Sequence, residues 1–229
     1  MSRKRSSSKL SPGRNAAGNT PAGKLRVRTS AIILAGGQGT RFNSRDKALI
    51  DFGGISLLDR RLALLSPLCS AIIVVTNDPS GYGPGNYRIV RDVETGVGPL
   101  MGLYTGLASS RTVFNFVTAC DMPFLNERLF LLMRDYSLYF DAVIPRMGPF
   151  TEPLFAFYSR GCLGAIEKTL EKRERRINSF FNLVRIRYVD EPELRSCDPE
   201  LASFININTE TDLKDALGRM PRRGERLSP

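Results

Sequence analysis

Residues 31–47 read AIILAGGQGTRFNSRDK. The apolar run Ala31, Ile32, Ile33 and Leu34, bounded by glycine, suits a strand buried on both faces at the centre of a parallel sheet. Gly36, Gly37 and Gly39 follow where that strand ends. Glycine reaches positive φ and carries no Cβ, so such a loop can turn backbone N–H groups toward phosphate oxygens. Arg41 adds a planar fork of donors and Lys47 a point charge. Two common nucleotide loops are excluded: Gly-Lys followed by Ser or Thr is absent, and Phe42 stands where the dinucleotide fingerprint needs its third glycine. Three clustered glycines alone serve an ordinary tight turn with surface cations equally well. The Arg and the Asp-Lys pair at fixed offsets favour an anion site.

The chain has 229 residues, 42% apolar and 24% charged, enough for one good-sized core with tails. Its formal charge of +10 suggests a nucleic acid or an acidic membrane as partner, so its location matters. Residues 1–30 carry +8 and residues 218–229 carry +3, which leaves −1 for residues 31–217. The expected organisation is therefore a disordered basic tail over 1–30, a near-neutral domain over 31–217 and a basic C-terminal tail over 218–229. Nucleic acid is not expected as a partner of the core. The sequence contains no histidine, which removes Ser-His-Asp and Cys-His catalysis and His-ligated zinc together. Chemistry falls to carboxylates, cations, amides and a hard metal ion. Four cysteines without a C-x-x-C pair read as small apolar residues in a reducing cytoplasm. No apolar run approaches the roughly 18 residues of a membrane helix, and no signal-peptide core is evident.

Beyond the glycine loop, Ala48–Phe52 reads as a short extended piece. A helix is expected over Leu57–Leu65, with Ser56 and Asp59 as a capping box. Buried strands are expected at Ala71–Thr76 and Val113–Ala119, with a short one at Tyr87–Val90. Between them lies a helix over Leu100–Ser109, whose Gly102 and Gly106 sit one turn apart and permit close packing. Asn126 caps a helix over Glu127–Tyr139. Strands at Asp141–Arg146 and Leu154–Tyr158 flank a loop containing Glu152-Pro153. Helical stretches at Cys162–Lys172 and Ile177–Leu183 are separated by the charged run Arg173–Arg176, read as a solvated face. Strands follow at Arg185–Val189 and Ser203–Ile207, and Thr209 with Asp212 caps a last helix. This succession predicts a single doubly wound (Rossmann-like) α/β domain, three-layered, with a mostly parallel sheet.

Parallel strands all end on one edge. The glycine loop, Asn77, Asp92 and Asp121 each end a predicted strand, so they can share one crevice. Singly each mark is weak: Asn77-Asp78-Pro79 also suits a turn, and Asp92 also suits a loop cap. Asp121, after the apolar strand and before Met122-Pro123, is costly unless paired or holding a cation, which makes it the metal candidate.

L-A-G-G-x-G-x-R followed by D-K resembles the signature loop of nucleotidyltransferases, most closely the molybdenum cofactor guanylyltransferase (MobA) family. Phe42-Asn43-Ser44-Arg45 replaces that family's Met-Gly-Gly-x with the spacing kept. The resemblance covers nearly all of 31–217. It implies a Mg²⁺-dependent transfer of GMP from GTP to molybdopterin, with Mg²⁺ on Asp121. By the same resemblance Leu34, Ala35, Gly36, Gly37 and Gly39 hold the nucleotide, and Arg41 and Lys47 neutralise its phosphates. Asn77 and Asp92 would contact the guanosine, with Gly98 beside the base. Phe204-Ile205-Asn206-Ile207-Asn208-Thr209 is similar to the family's late F-x-N-x-N-T segment, so Asn206 and Asn208 would line the acceptor pocket from one face of a strand. Other proteins of molybdenum cofactor biosynthesis are further expected partners. The alternatives are a transferase using CTP or a sugar phosphate, and a non-catalytic nucleotide-binding module with a basic tail.

Overall fold

A computed structural model describes residues 28–35, 46–94 and 96–220. Eight strands form one sheet: β1 (Thr29–Leu34), β2 (Ala71–Val75), β3 (Arg88–Val90), β4 (Phe114–Ala119), β5 (Ala142–Met147), β6 (Phe150–Thr151), β7 (Phe155–Ser159) and β8 (Ile186–Asp190). The order is β3-β2-β1-β4-β7-β5-β6, with β8 pairing β5. β1 is central, parallel to β2 and β4, and β3 is parallel to β2. β7 is antiparallel to β4 and β5, and β8 is parallel to β5. The result is a doubly wound α/β sheet, mostly parallel as the apolar runs predict.

Alternation along the strands divides the core. Ala31, Ile33, Ile72, Val74, Phe116 and Phe157 pack with Leu58, Leu65, Phe130 and Leu194 on one face. That face carries α1 (Leu57–Leu65), α3 (Glu127–Tyr136) and α5 (Glu191–Cys197). Ile32, Leu34, Val75, Val117 and Ile144 pack with Leu103, Leu107, Ile166 and Phe180 on the other, beneath α2 (Pro99–Ser109) and α4 (Leu163–Glu171). The Phe116 ring lies 5.0 Å from both Phe130 and Phe155, edge contacts of about 1 kcal/mol each beyond simple burial. A third cluster, Phe52, Leu57, Ile207 and Ala216, seats α6 (Glu210–Gly218).

Helix starts follow their side chains. Ser56 accepts the Asp59 amide, Asn126 accepts that of Leu129, and Thr209 with Asp212 completes a reciprocal capping box.

Several expectations are corrected. The extended piece expected at 48–52 starts instead in a 3-10 turn over Lys47–Leu49, because Asp46 accepts the Ala48 amide at 2.9 Å and curls the chain, and it is extended from Ile50, where Asp51 bridges Ser56. Ile177–Leu183 is helical as expected, in 3-10 form. The strand expected at Ser203–Ile207 does not form: Ala202–Phe204 is a 3-10 turn, whose Ala202 and Ser203 amides are taken by the Asp198 carboxylate at 3.2 and 2.9 Å. Helix α5 was missed, although Pro192 in its first turn and acids at Glu191 and Glu193 form a start signal. All four cysteines are free thiols. Among the described residues no helix is long and apolar enough to cross a membrane.

Candidate functional site

The carboxyl ends of β1, β2, β3 and β4 lie together because their registers align Leu34 with Val75 and Ala119, and Val75 with Val90. The ladder runs one residue further through the Ala35 amide to Val75 (2.9 Å), the Cys120 amide to Leu34 (3.2 Å) and the Thr76 amide to Val90 (3.0 Å). Ala35, Asn77, Asp92 and Asp121 therefore emerge along one edge.

Two groups of polar side chains stand there. In the first, Asn77 and Asp92 bond reciprocally: Asn77 Nδ2 donates to Asp92 Oδ2 at 3.2 Å, and the Asp92 amide donates to Asn77 Oδ1 at 3.1 Å. Asp92 Oδ1 is buried without a hydrogen-bond partner among the described residues. Burial raises the Asp92 carboxyl above its ordinary range, against the lowering effect of Asn77 and Thr105. Helix α2 passes directly over it: a Cβ on Gly102 would lie 3.5 Å from Leu34 and 3.7 Å from Asp92 Oδ1. Gly98, at φ 101°, starts that helix in a conformation side chains rarely adopt.

In the second group Lys47 Nζ donates to Asp121 Oδ2 at 3.1 Å and to Asn208 Oδ1 at 2.8 Å. Residues 74 and 161 positions apart in sequence thus meet at one ammonium. Asp121 Oδ1, like Asp92 Oδ1, is buried with no partner among the described residues. The Ile207 amide bonds the Asp121 carbonyl at 2.9 Å, which is how the late segment reaches the site without joining the sheet. Asn208 is fixed in turn by its own amide on Asp212 Oδ2 (2.9 Å). Asn206 instead bonds its own chain at the Phe204 carbonyl (3.4 Å), so the two asparagines do not share a strand face. Leu34 and Ala35 are buried at 8% and 4% exposure, and their backbone groups serve the sheet edge. Gly36, Gly37, Gly39, Arg41 and the Asn43-Ser44 departure lie outside the described residues.

Further groups at this edge escape sequence reasoning. The Tyr82 hydroxyl donates to Asp46 Oδ2 at 2.8 Å, so Asp46 serves both the turn that presents Lys47 and a tyrosine from the β2–β3 connection. Burial, with Asp46 adjacent, holds that phenol well above its usual value. Beyond the Ala119 amide on Leu154 the chain turns, with the Glu152 amide on the Pro145 carbonyl (3.0 Å) and the Phe155 amide on the Glu152 carbonyl (3.3 Å), and Glu152 lies within reach of the Asp121 charge. Burial foremost, together with the charge of Asp121, raises the Glu152 carboxyl. The run Arg173–Arg176 is exposed as expected, yet the Arg175 carbonyl takes the Leu100 amide at 3.3 Å beside Gly98. A hollow of about 940 Å³ lies at the opposite, amino edge, lined by residues such as Arg28, Ala71, Arg88 and Phe114, and contains none of the site groups.

The buried Asp121 oxygen suits a hard cation, which prefers oxygen ligands, and the Lys47 ammonium suits phosphate. Among the described residues no cluster of three His, Cys, Asp or Glu side chains could hold a metal alone. One carboxylate, with substrate phosphates completing the shell, is the way Mg²⁺ is commonly bound beside nucleotides.

The MobA-like NTP transferase domain family matches residues 31–187. A molybdenum cofactor guanylyltransferase of Desulfosudis oleivorans is 35% identical over 188 residues, covering 82% of this chain and 93% of the relative. A probable molybdenum cofactor guanylyltransferase of Pelotomaculum thermopropionicum is 35% identical over 191 residues, covering 83% and 92%. Among solved structures, molybdopterin-guanine dinucleotide biosynthesis protein A of Archaeoglobus fulgidus is similar with a TM-score of 0.72 at 27% identity, covering 82% of this chain and 97% of that one. A 4-diphosphocytidyl-2C-methyl-D-erythritol synthase of Anaerococcus prevotii shares the fold alone, with a TM-score of 0.62 at 18% identity over 84% and 98% of the two chains.

Proposed function

The chain belongs to the MobA-like NTP transferase family and is a nucleotidyltransferase of molybdenum cofactor biosynthesis, and from that premise we propose that it moves GMP from GTP onto molybdopterin with Mg²⁺. The observation that carries the reading is the meeting of Lys47, Asp121 and Asn208 at the carboxyl edge, with Asp121 Oδ1 buried and unbonded among the described residues.

An oxygen of the acceptor phosphate forms a bond to the α-phosphorus of GTP, the bond to the β-phosphate oxygen breaks, and pyrophosphate leaves. The acceptor oxygen is already ionised at neutral pH, so no strong general base is required. Catalysis then consists of alignment and charge neutralisation, for which a site without histidine is sufficient. Lys47 supplies charge to the phosphate chain, and Arg41 is proposed to do the same. Asp121 would hold Mg²⁺, which when bound polarises the phosphoryl oxygens and neutralises the leaving group. Asn77 and Asp92 are proposed to receive the guanosine beside Gly98, with Leu34, Ala35 and the glycines 36, 37 and 39 enclosing the nucleotide. Asn208 and Asn206 are proposed for the acceptor side. In the present geometry Lys47 is held between Asp121 and Asn208, so substrate phosphate would exchange for one of these contacts.

The test is pyrophosphate release on molybdopterin with GTP, CTP, UTP and ATP in parallel. GTP is expected to be the preferred donor; CTP or UTP clearly outrunning it would overturn the guanylyl assignment.

A further inference from the structure

We infer that Arg60 and Arg61 are positioning residues that hold the turn carrying Asp121, so that the oxygen without a partner among the described residues faces the nucleotide; this rests on the reading of Asp121 as a cation ligand. Arg61 is fully buried in α1. Its Nε donates to Thr118 Oγ1 at 3.1 Å, Nη2 donates to the same oxygen, and Nη1 donates to the Phe124 carbonyl at 2.8 Å. Its guanidinium lies 5.7 Å from the centre of the Phe155 ring. These hydrogen-bond partners are neutral, and the charge of Asp121 only partly offsets the burial that lowers the guanidinium's affinity for its proton. A buried cation bonded only to neutral groups is a poor source of stability, since an apolar side chain of similar volume fills such a place at lower desolvation cost. Its bonds nevertheless have one clear effect: they fasten the chain before Asp121 at Thr118 and after it at Phe124.

The neighbouring side chain continues the clamp. Arg60 Nε donates to the Pro123 carbonyl at 2.8 Å, and its guanidinium lies 5.1 Å from the Phe52 ring centre and 5.6 Å from that of Phe124. Phe52 and Phe124 meet edge-on at 6.0 Å, and Phe52 shares a buried cluster with Ile207. Phe52 follows the turn that presents Lys47, and Ile207 precedes Asn208. One helix therefore ties together the three segments whose side chains meet in the Lys47, Asp121 and Asn208 group. Groups that orient a metal ligand rather than touch the metal commonly govern affinity by about tenfold or more.

The experiment uses the full chain with Arg61→Met, Arg61→Lys and Arg60→Ala. Mn²⁺ is titrated alone and with the non-transferable α,β-methylene analogue of GTP, followed by water-proton relaxation, beside melting curves and the Mg²⁺ dependence of pyrophosphate release. Arg61→Met is expected to weaken Mn²⁺ binding in the analogue complex about tenfold and to raise the half-saturating Mg²⁺ concentration in parallel. KM for GTP at saturating metal should stay within about twofold, and Arg61→Lys should recover part of the loss. Arg60→Ala should shift the same readouts in the same direction, less far. Folded variants with unchanged Mn²⁺ affinity and Mg²⁺ midpoint would overturn the inference. If Arg61→Met gives no cooperative melting, the half-buried Arg60→Ala decides alone, by the same criterion. Wild-type protein that binds Mn²⁺ with the analogue yet releases no pyrophosphate from GTP would defeat the transferase reading while leaving the clamp tested by Mn²⁺. Mn²⁺ binding untouched by Asp121→Asn would defeat the metal role and the clamp together.

Discussion

At the scale of single residues, the candidate site holds two carboxylates that each have one oxygen bonded and one without a partner among the described residues. For Asp121 the bonded oxygen faces Lys47 and the other is buried without a partner among the described residues, so the Asp121→Asn change alters charge at the position where the proposed reaction neutralises phosphoryl charge. We expect kcat/KM to fall by about a hundredfold or more with the melting temperature little changed, read by pyrophosphate release and calorimetry. Retained activity at saturating Mg²⁺ would remove Asp121 from the metal role. Asp92 differs because burial raises its carboxyl. The unfolded chain releases that proton at the ordinary carboxylate value and the folded chain only at higher pH, so stability declines as pH rises between the two values and stays lower above them. Asp92→Asn should remove that decline. It should raise the melting temperature at pH 7 by about 2 °C, flatten its dependence across the acidic range and weaken GTP binding. A melting temperature that falls at pH 7 would contradict the desolvation argument. Asn77, Asp92 and Asp121 are legible in sequence because each follows a predicted strand. Tyr82, Arg60, Arg61 and Glu152 are not, since their roles arise from contacts across the fold that no local pattern encodes.

At the scale of elements, helix α2 shows how a sequence signal is shared between packing and site. Its two glycines one turn apart read as a close-packing face, and the structure assigns them different duties. A Cβ on Gly106 would stand 2.4 Å from Ile32 Cγ2, on a stiff β-branched side chain of the central strand. Gly106→Ala should therefore cost about 1–3 kcal/mol, seen as a lower denaturant midpoint with an unchanged m-value. At Gly102 an added Cβ meets ordinary contacts at 3.5 Å, and alanine favours the helix by up to about 1 kcal/mol. Gly102→Ala should fold at least as stably as the parent while binding GTP more weakly, because the methyl group stands over Asp92. Equal stability losses at both positions would refute this division. Legibility followed the same logic across elements. The apolar runs at β1, β2 and β4 and the capped α1 were evident because burial on two faces and side-chain caps leave local traces. Ala48–Leu49 and Ser203–Phe204 lie in 3-10 turns where extension is expected, because Asp46 and Asp198 capture amides that an apolar alternation leaves free for a ladder.

At the scale of the whole molecule, the strands pair with one another and three apolar clusters cover both faces of the sheet among the described residues. The basic character lies elsewhere, because residues 28–220 carry a formal charge of +1 out of +10 for the chain. Affinity for a polyanion grows with the number of cations that displace its counterions, and it falls steeply with salt. The full chain should accordingly bind an RNA oligonucleotide at low ionic strength, in a manner abolished as salt rises, by fluorescence anisotropy. Trimming to residues 28–220 should remove that binding while leaving the melting temperature and GTP-dependent pyrophosphate release near the parent values. The two measurements separate the scales: salt-sensitive RNA binding by the trimmed chain would place a basic surface on the domain itself, and a lost melting transition would show that the sheet depends on the removed segments. If both expectations hold, the transferase reaction is a property of a nearly neutral α/β domain. The charge that dominates the composition would then act on where the protein resides and what it meets, rather than on the chemistry at Asp121.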